Sequence, residues 1–196
     1  PQISDYKDVK KYNNWTQAVM EGVGSFQIPP TMEVGEITES GNNEIRMLVT
    51  QQKGRRDFNI DSLKTVARIS LMDIKLDSEL VPRLGSKLNM TQDELNAWEK
   101  DVLNNLNEIE GKNRIFKFSN FQKLKIINVN GIDCIYYCYE RSMNERSRNK
   151  INVYMFFNKD TMQEFKVEYR IADANIWEAE GQDIRKAIYT LQLTKR

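Results

Sequence analysis

Histidine is absent from all 196 residues. Ser-His-Asp and Cys-His triads, His-ligated zinc and His-ligated haem therefore need a residue from another subunit. Cysteine occurs only at positions 134 and 138. On one strand, residues four apart lie roughly 13 Å apart at Cα, whereas a disulfide needs less than about 7 Å, so two free, buried thiols are expected. Long apolar runs are missing too: the longest, Cys134–Tyr139, is far short of the ~20 residues of a membrane-spanning helix. Charge of one sign is not in excess. Lys+Arg total 29 and Asp+Glu 28, a net charge of 29 − 28 = +1, which speaks against a dedicated nucleic-acid binder with its basic stripe. No phosphate loop is present, because Gly22-Val-Gly24 lacks both the third glycine and a following Lys-Ser/Thr. Ser25 and Ser86 each adjoin a glycine without forming G-x-S-x-G.

What is present is globular: 40% hydrophobic and 29% charged residues. Bases gather at Lys53, Arg55, Arg56, Lys64 and Arg68, and acids at Asp93, Glu94, Glu99, Asp101, Glu108 and Glu110. Both groups read as solvated faces. The polar opening, residues 1–14, is expected to be a flexible arm before a single α+β domain over 15–196. The chain opens on Pro1 and not on methionine, which fits either a removed initiator methionine or a removed secretion signal; the reading leans to the signal, with a lipid anchor upstream of Pro1 as one form of it.

The strongest helix signal runs from Thr91 to Ile109. Leu95, Trp98, Val102, Leu106 and Ile109 form one apolar stripe, Thr91 and Glu94 form a capping box, and Gly111 suits the stop. A hairpin follows, with Phe121–Val129 and Ile132–Arg141 flanking Asn130-Gly131. That turn sets Val129 opposite Ile132, Ile127 opposite Cys134 and Lys125 opposite Tyr136. Cys134–Tyr139 is apolar on both faces, as in a strand covered on both sides. After a polar loop, Ser142–Asn149, strands over Ile151–Phe157 and Phe165–Ile171 complete a four-stranded meander. A closing helix is expected over Asn175–Leu191, and strands at Trp15–Met20, Ser25–Ile28 and Glu44–Thr50. Residues 61–75 fit either a helix or a strand, and periodicity leans towards helix.

Ser25-Phe26-Gln27-Ile28-Pro29, Ala67-Arg68-Ile69, Val129-Asn130-Gly131 before an aromatic strand, and Tyr169-Arg170-Ile171 followed by Trp177 occur in an order that resembles the PsbP-like proteins and their Mog-type relatives, including bacterial lipoprotein-like members. The resemblance spans residues 15–191. It implies an α+β sandwich: one twisted antiparallel sheet of about six or seven strands with helices packed on it. Residues 66–74 then become a strand. It also implies a non-catalytic accessory or binding module.

Candidate sites are few. Asp57, Asn59 and Asp61 open like a calcium loop, but Ser62 stands where the turn glycine belongs and Arg68 where the bidentate glutamate belongs. No metal and no cofactor are expected. The carboxylate pairs Glu140/Glu145 and Asp173/Glu178 sit in polar loops or caps. Asn14-Trp-Thr16 and Asn89-Met-Thr91 match the glycosylation pattern, as an asparagine-rich chain produces by chance. The best surface candidate is the Arg141–Lys150 loop. There Arg141, Arg146, Arg148 and Lys150, near Tyr136, Tyr137, Tyr139 and Tyr154, are expected to hold an anionic ligand or an acidic protein partner. Replacing the three arginines is expected to leave folding nearly intact. The function expected is a binding module of the bacterial cell envelope or secreted. The alternatives are a cytoplasmic adaptor or chaperone-like domain, and after that a carboxylate hydrolase.

Overall fold

A computed structural model describes residues 7–41, 44–53, 67–76, 83–84, 87–144, 147–158 and 160–194. Strands β1 (Thr16–Met20) and β2 (Gly24–Ile28) form a hairpin. Strands β3 (Met32–Ser40), β4 (Ile45–Gln52) and β5 (Ala67–Lys75) follow. A two-stranded ribbon, β6 (Arg83–Leu84) and β7 (Lys87–Leu88), then leads to helix α1 (Gln92–Lys112). The meander is β8 (Phe116–Val129), β9 (Ile132–Met143), β10 (Ser147–Asn158) and β11 (Thr161–Arg170). The short helix α2 (Ala174–Trp177), a 3-10 segment Ile184–Thr190 and strand β12 (Gln192–Leu193) close the chain.

Among the described residues, seven strands build one antiparallel sheet in the order β3-β4-β5-β11-β10-β9-β8, and β1-β2-β12 make a smaller sheet. The large sheet is the middle layer. Strand alternation sends Ile69, Leu71, Cys134, Phe156, Phe165 and Tyr169 to the face covered by the small sheet and the 3-10 segment. The opposite face sends Ile135, Tyr137, Tyr139, Val153, Met155 and Phe157 towards α1. There Leu95 and Leu106 are buried, and Trp98 meets Phe157 edge-on at 5.3 Å. The expected α+β sheet-with-helices architecture is the one observed, and residues 67–75 form a strand. Pairing with β4 on one side and β11 on the other overrides their helical periodicity. No helix of the described residues is long and apolar enough to cross a membrane.

The hairpin register is as expected, Val129↔Ile132, Ile127↔Cys134 and Lys125↔Tyr136. Asn130 and Gly131 take φ of 51° and 88°, the left-handed pair that this turn requires. Thr91 and Glu94 form the capping box, while α1 runs through Gly111 to Lys112.

Two expectations are corrected. The closing helix Asn175–Leu191 is broken: four residues of helix end at Trp177, and Gly181 turns the chain at φ 76° before the 3-10 segment begins at Ile184, with Asp183 as its cap. The loop Ser142–Asn149 is shorter than its polarity suggests, because β9 runs to Met143 and β10 starts at Ser147. Polar residues extend these strands because their side chains pair across them, as Arg148 does with Glu140 at 3.3 Å.

Residues 7–14 lie against the domain: Lys7 N–H donates to Asn130 O (2.8 Å) and Lys10 N–H to Tyr189 O (2.9 Å). The acids of α1 also do more than face solvent. Glu99 accepts from Leu124 N–H (3.1 Å) and Glu110 from Phe118 N–H (3.0 Å) on the edge strand β8. Carboxylates on a helix lying along a sheet edge can satisfy donors that the missing neighbour strand would otherwise take.

Candidate functional site

On the face of the large sheet opposite α1, the small sheet leaves part of β9 and β10 uncovered. Even-numbered residues of these strands face that side, so Tyr136, Lys150, Asn152 and Tyr154 form a floor with Val167 of β11. The 3-10 segment and its cap supply the wall: Asp183, Arg185, Lys186 and Tyr189. The resulting groove encloses about 370 Å³.

Its geometry is ordered by aromatic and hydrogen-bond contacts. Tyr136 and Tyr154 stand directly opposite each other with ring centroids 4.9 Å apart. The Tyr136 hydroxyl donates to Asn152 Oδ1 at 2.8 Å, and the Lys125 ammonium lies 5.5 Å from the Tyr136 ring centre. Burial pushes the Tyr136 and Tyr154 phenols well above their ordinary value. Both remain protonated donors throughout the physiological range.

The charges of the groove are unevenly satisfied. Arg185 grips Asp183 through two bonds of 2.9 Å and reaches Glu178 at 3.5 Å. Glu178 also accepts the Tyr169 hydroxyl at 2.6 Å. Glu140, opposite Lys150 on β9, is held by Arg148 and by the Asn120 amide. The neighbouring carboxylates are thus engaged by arginines, and among the described residues neither Lys150 nor Lys186 forms an ion pair. Two ammonium groups and a set of phenols remain to meet a ligand.

The residues expected to form an anion site are distributed by the extended strands. Lys150 lines the groove. Arg148, on the same face, is exposed and bound to Glu140. Arg141 points the other way: its guanidinium pairs with Glu168 among buried groups, Asn149 Nδ2 donates to the same carboxylate (2.8 Å), and the Phe116 ring lies 5.4 Å off. Arg146 lies outside the described residues, as do Glu145, Ser86 and the Asp57, Asn59 and Asp61 loop. Of the four tyrosines, Tyr136 and Tyr154 enter the groove while Tyr137 and Tyr139 pack under α1. Sequence reasoning missed Lys186 and Tyr189, since their relation to β10 depends on the broken course of residues 177–184. Asp173 is bound to Arg170 (2.6 Å), while Glu178 is held by Arg185 and the Tyr169 hydroxyl. Neither cysteine is in a disulfide, and both are buried. Among the described residues no cluster of three potential metal ligands occurs.

No protein-family model matches the chain, and no curated protein resembles it in sequence. Its fold does have solved counterparts. The solution structure of cyanobacterial PsbP (CyanoP) from Synechocystis sp. PCC 6803 superposes with a TM-score of 0.55 at 10% identity, covering 94% of this chain and 95% of that one. A crystal structure from Bacteroides thetaiotaomicron gives a TM-score of 0.49 at 10% identity over 93% of this chain and 50% of that one. The likeness to the cyanobacterial structure over nearly the whole of both chains gives this chain a PsbP-like fold.

Proposed function

We propose that this protein is a non-catalytic binding module whose groove between β10 and the 3-10 segment receives a carboxylate-bearing segment of a partner protein. The observation that carries the reading is the pair of uncompensated ammonium groups, Lys150 and Lys186, beside acids already neutralised by Arg185 and Arg148. A partner carboxylate would gain charge-assisted bonds there, and the three phenols would add apolar faces and polar edges. The same chemistry disfavours catalysis. A general base works best with a pKa near the operating pH, whereas the buried phenols are pushed upward and the carboxylates are held by arginines. The order of motifs that resembles bacterial lipoprotein-like relatives supports a place in the cell envelope or outside the cell, and fractionation of the native host tests it. A fluorescent Glu-Phe-Glu-Phe-Glu peptide titrated into the protein tests the groove. Lys150→Ser with Lys186→Ser should weaken binding about tenfold, with the loss shrinking as salt rises. Unchanged affinity in the double variant would refute the reading.

A further inference from the structure

The two edges of the large sheet are treated differently. The β8 edge is closed by α1, whose Glu99 and Glu110 take backbone donors at Leu124 and Phe118, and its pairing with β9 is interrupted twice between Ser119 and Lys125. Such capping and bulging blunt an edge against further strands. The β3 edge has no cover of this kind among the described residues. β3 pairs with β4 through Met32–Val34 and again through Ile37–Ser40, and among the described residues its outer side meets no backbone partner.

The side chains along that edge define what could pair with it. Val34 and Ile37 are exposed by 42% and 39%. Leu48, opposite Ile37, belongs to the core, so Ile37 leans over the rim of the hydrophobic layer. Glu33, Glu36 and Glu39 add three negative charges to this one strand. Arg46 answers only Glu39, at 3.2 Å, which leaves Glu33 and Glu36 without an ion pair among the described residues. A second copy of β3 would bring like charges together across the new ladder, which is destabilising. A basic strand would meet them with opposite charge and could lay small apolar residues over Val34 and Ile37.

We propose that β3 is a strand-addition site for an extended peptide segment carrying lysine or arginine at alternate positions with apolar residues between them. Backbone bonds to the open edge would supply affinity, and the glutamates would select the partner's charge. The added strand would run along Glu33–Ser40, bending at the irregularity between Val34 and Ile37. This site is separate from the groove at Lys150 and attracts the opposite charge.

The test is a titration of the isotopically labelled protein with the capped peptide Lys-Val-Lys-Val-Lys-Val-Lys, read by amide shifts and hydrogen exchange. The expected result is saturable shifts and new exchange protection over residues 33–40, unchanged in the Lys150→Ser, Lys186→Ser variant. Glu33→Lys with Glu36→Lys should weaken binding about tenfold, two attractive pairs having become repulsive. N-methylation of alternate peptide residues keeps every charge and removes ladder donors, so it should abolish protection even if the charge-reversed protein does not fold. Equal binding of the N-methylated peptide, equal binding of a Glu-Val repeat, or shifts confined to other strands would overturn the proposal. So would concentration-dependent self-association through β3 without added peptide.

Discussion

Arg141→Ser is the perturbation that best separates a surface arginine from a structural one. The Arg141 side chain is 16% exposed and that of its partner Glu168 is 9% exposed, and the two are in direct contact. Removing the guanidinium leaves a carboxylate in a nearly closed site, with the Asn149 amide still donating to it. Breaking a buried pair from one side costs about 3–5 kcal/mol, and the surviving Asn149 bond and residual exposure lower this to about 2–4 kcal/mol. For a chain of this size that is roughly 5–15 °C in melting temperature. Urea and thermal unfolding of the variant measure it. A second substitution, Glu168→Gln, removes the stranded charge and should recover part of the loss, so the double-mutant cycle should show coupling above ~1 kcal/mol. Arg148→Ser, at 61% exposure and facing solvent, should stay within about 0.5 kcal/mol of the parent. If Arg141→Ser is equally silent, the pair contributes nothing to stability, and the surface reading of the whole 141–150 segment returns.

Other outcomes follow from the same geometry. Gly24→Ala should cost about 1–3 kcal/mol, because the added Cβ would stand 2.6 Å from the Gln192 carbonyl oxygen where β12 joins β2, and a melt measures this directly. Alkaline pH should destabilise the fold. Burial raises the phenol pKa of Tyr136, Tyr137, Tyr154 and Tyr169, and Glu164 raises that of Lys166 against desolvation, so these contributions are intact below about pH 10 and fall away as pH climbs through the raised folded-state values. Melts between pH 8 and 11 should therefore shift downward only at the upper end. Cys134 and Cys138 should react with a thiol reagent only in denaturant, and an intact-mass difference showing a bridge between them would contradict their placement on one strand.

The legible parts of the sequence were those in which local chemistry and tertiary structure agree. Asn130-Gly131 has a single favoured turn geometry, and that turn alone sets the β8–β9 register. Thr91, Glu94 and the stripe from Leu95 to Ile109 specify α1 without help from elsewhere. Legibility ended where long-range pairing decides. Residues 67–75 carry a helical period that two neighbouring strands overrule. Strand β3 shows little alternation because it is an edge, with glutamates on several of its positions. The 141–150 segment looked like loop because its strand residues are polar, and strand alternation then splits Arg141 from Lys150 across the sheet. Acids on α1 looked solvated because their partners are backbone amides of β8, which no side-chain pattern announces.

Amide chemical-shift mapping with the Glu-Phe-Glu-Phe-Glu peptide tests the central claim most directly. The account predicts saturable shifts clustered at Tyr136, Lys150–Tyr154 and Lys186–Tyr189, lost together in the Lys150→Ser, Lys186→Ser variant while its melting temperature holds. Shifts spread over all exposed lysines, or clustered under α1 on the opposite face of the sheet, would contradict it.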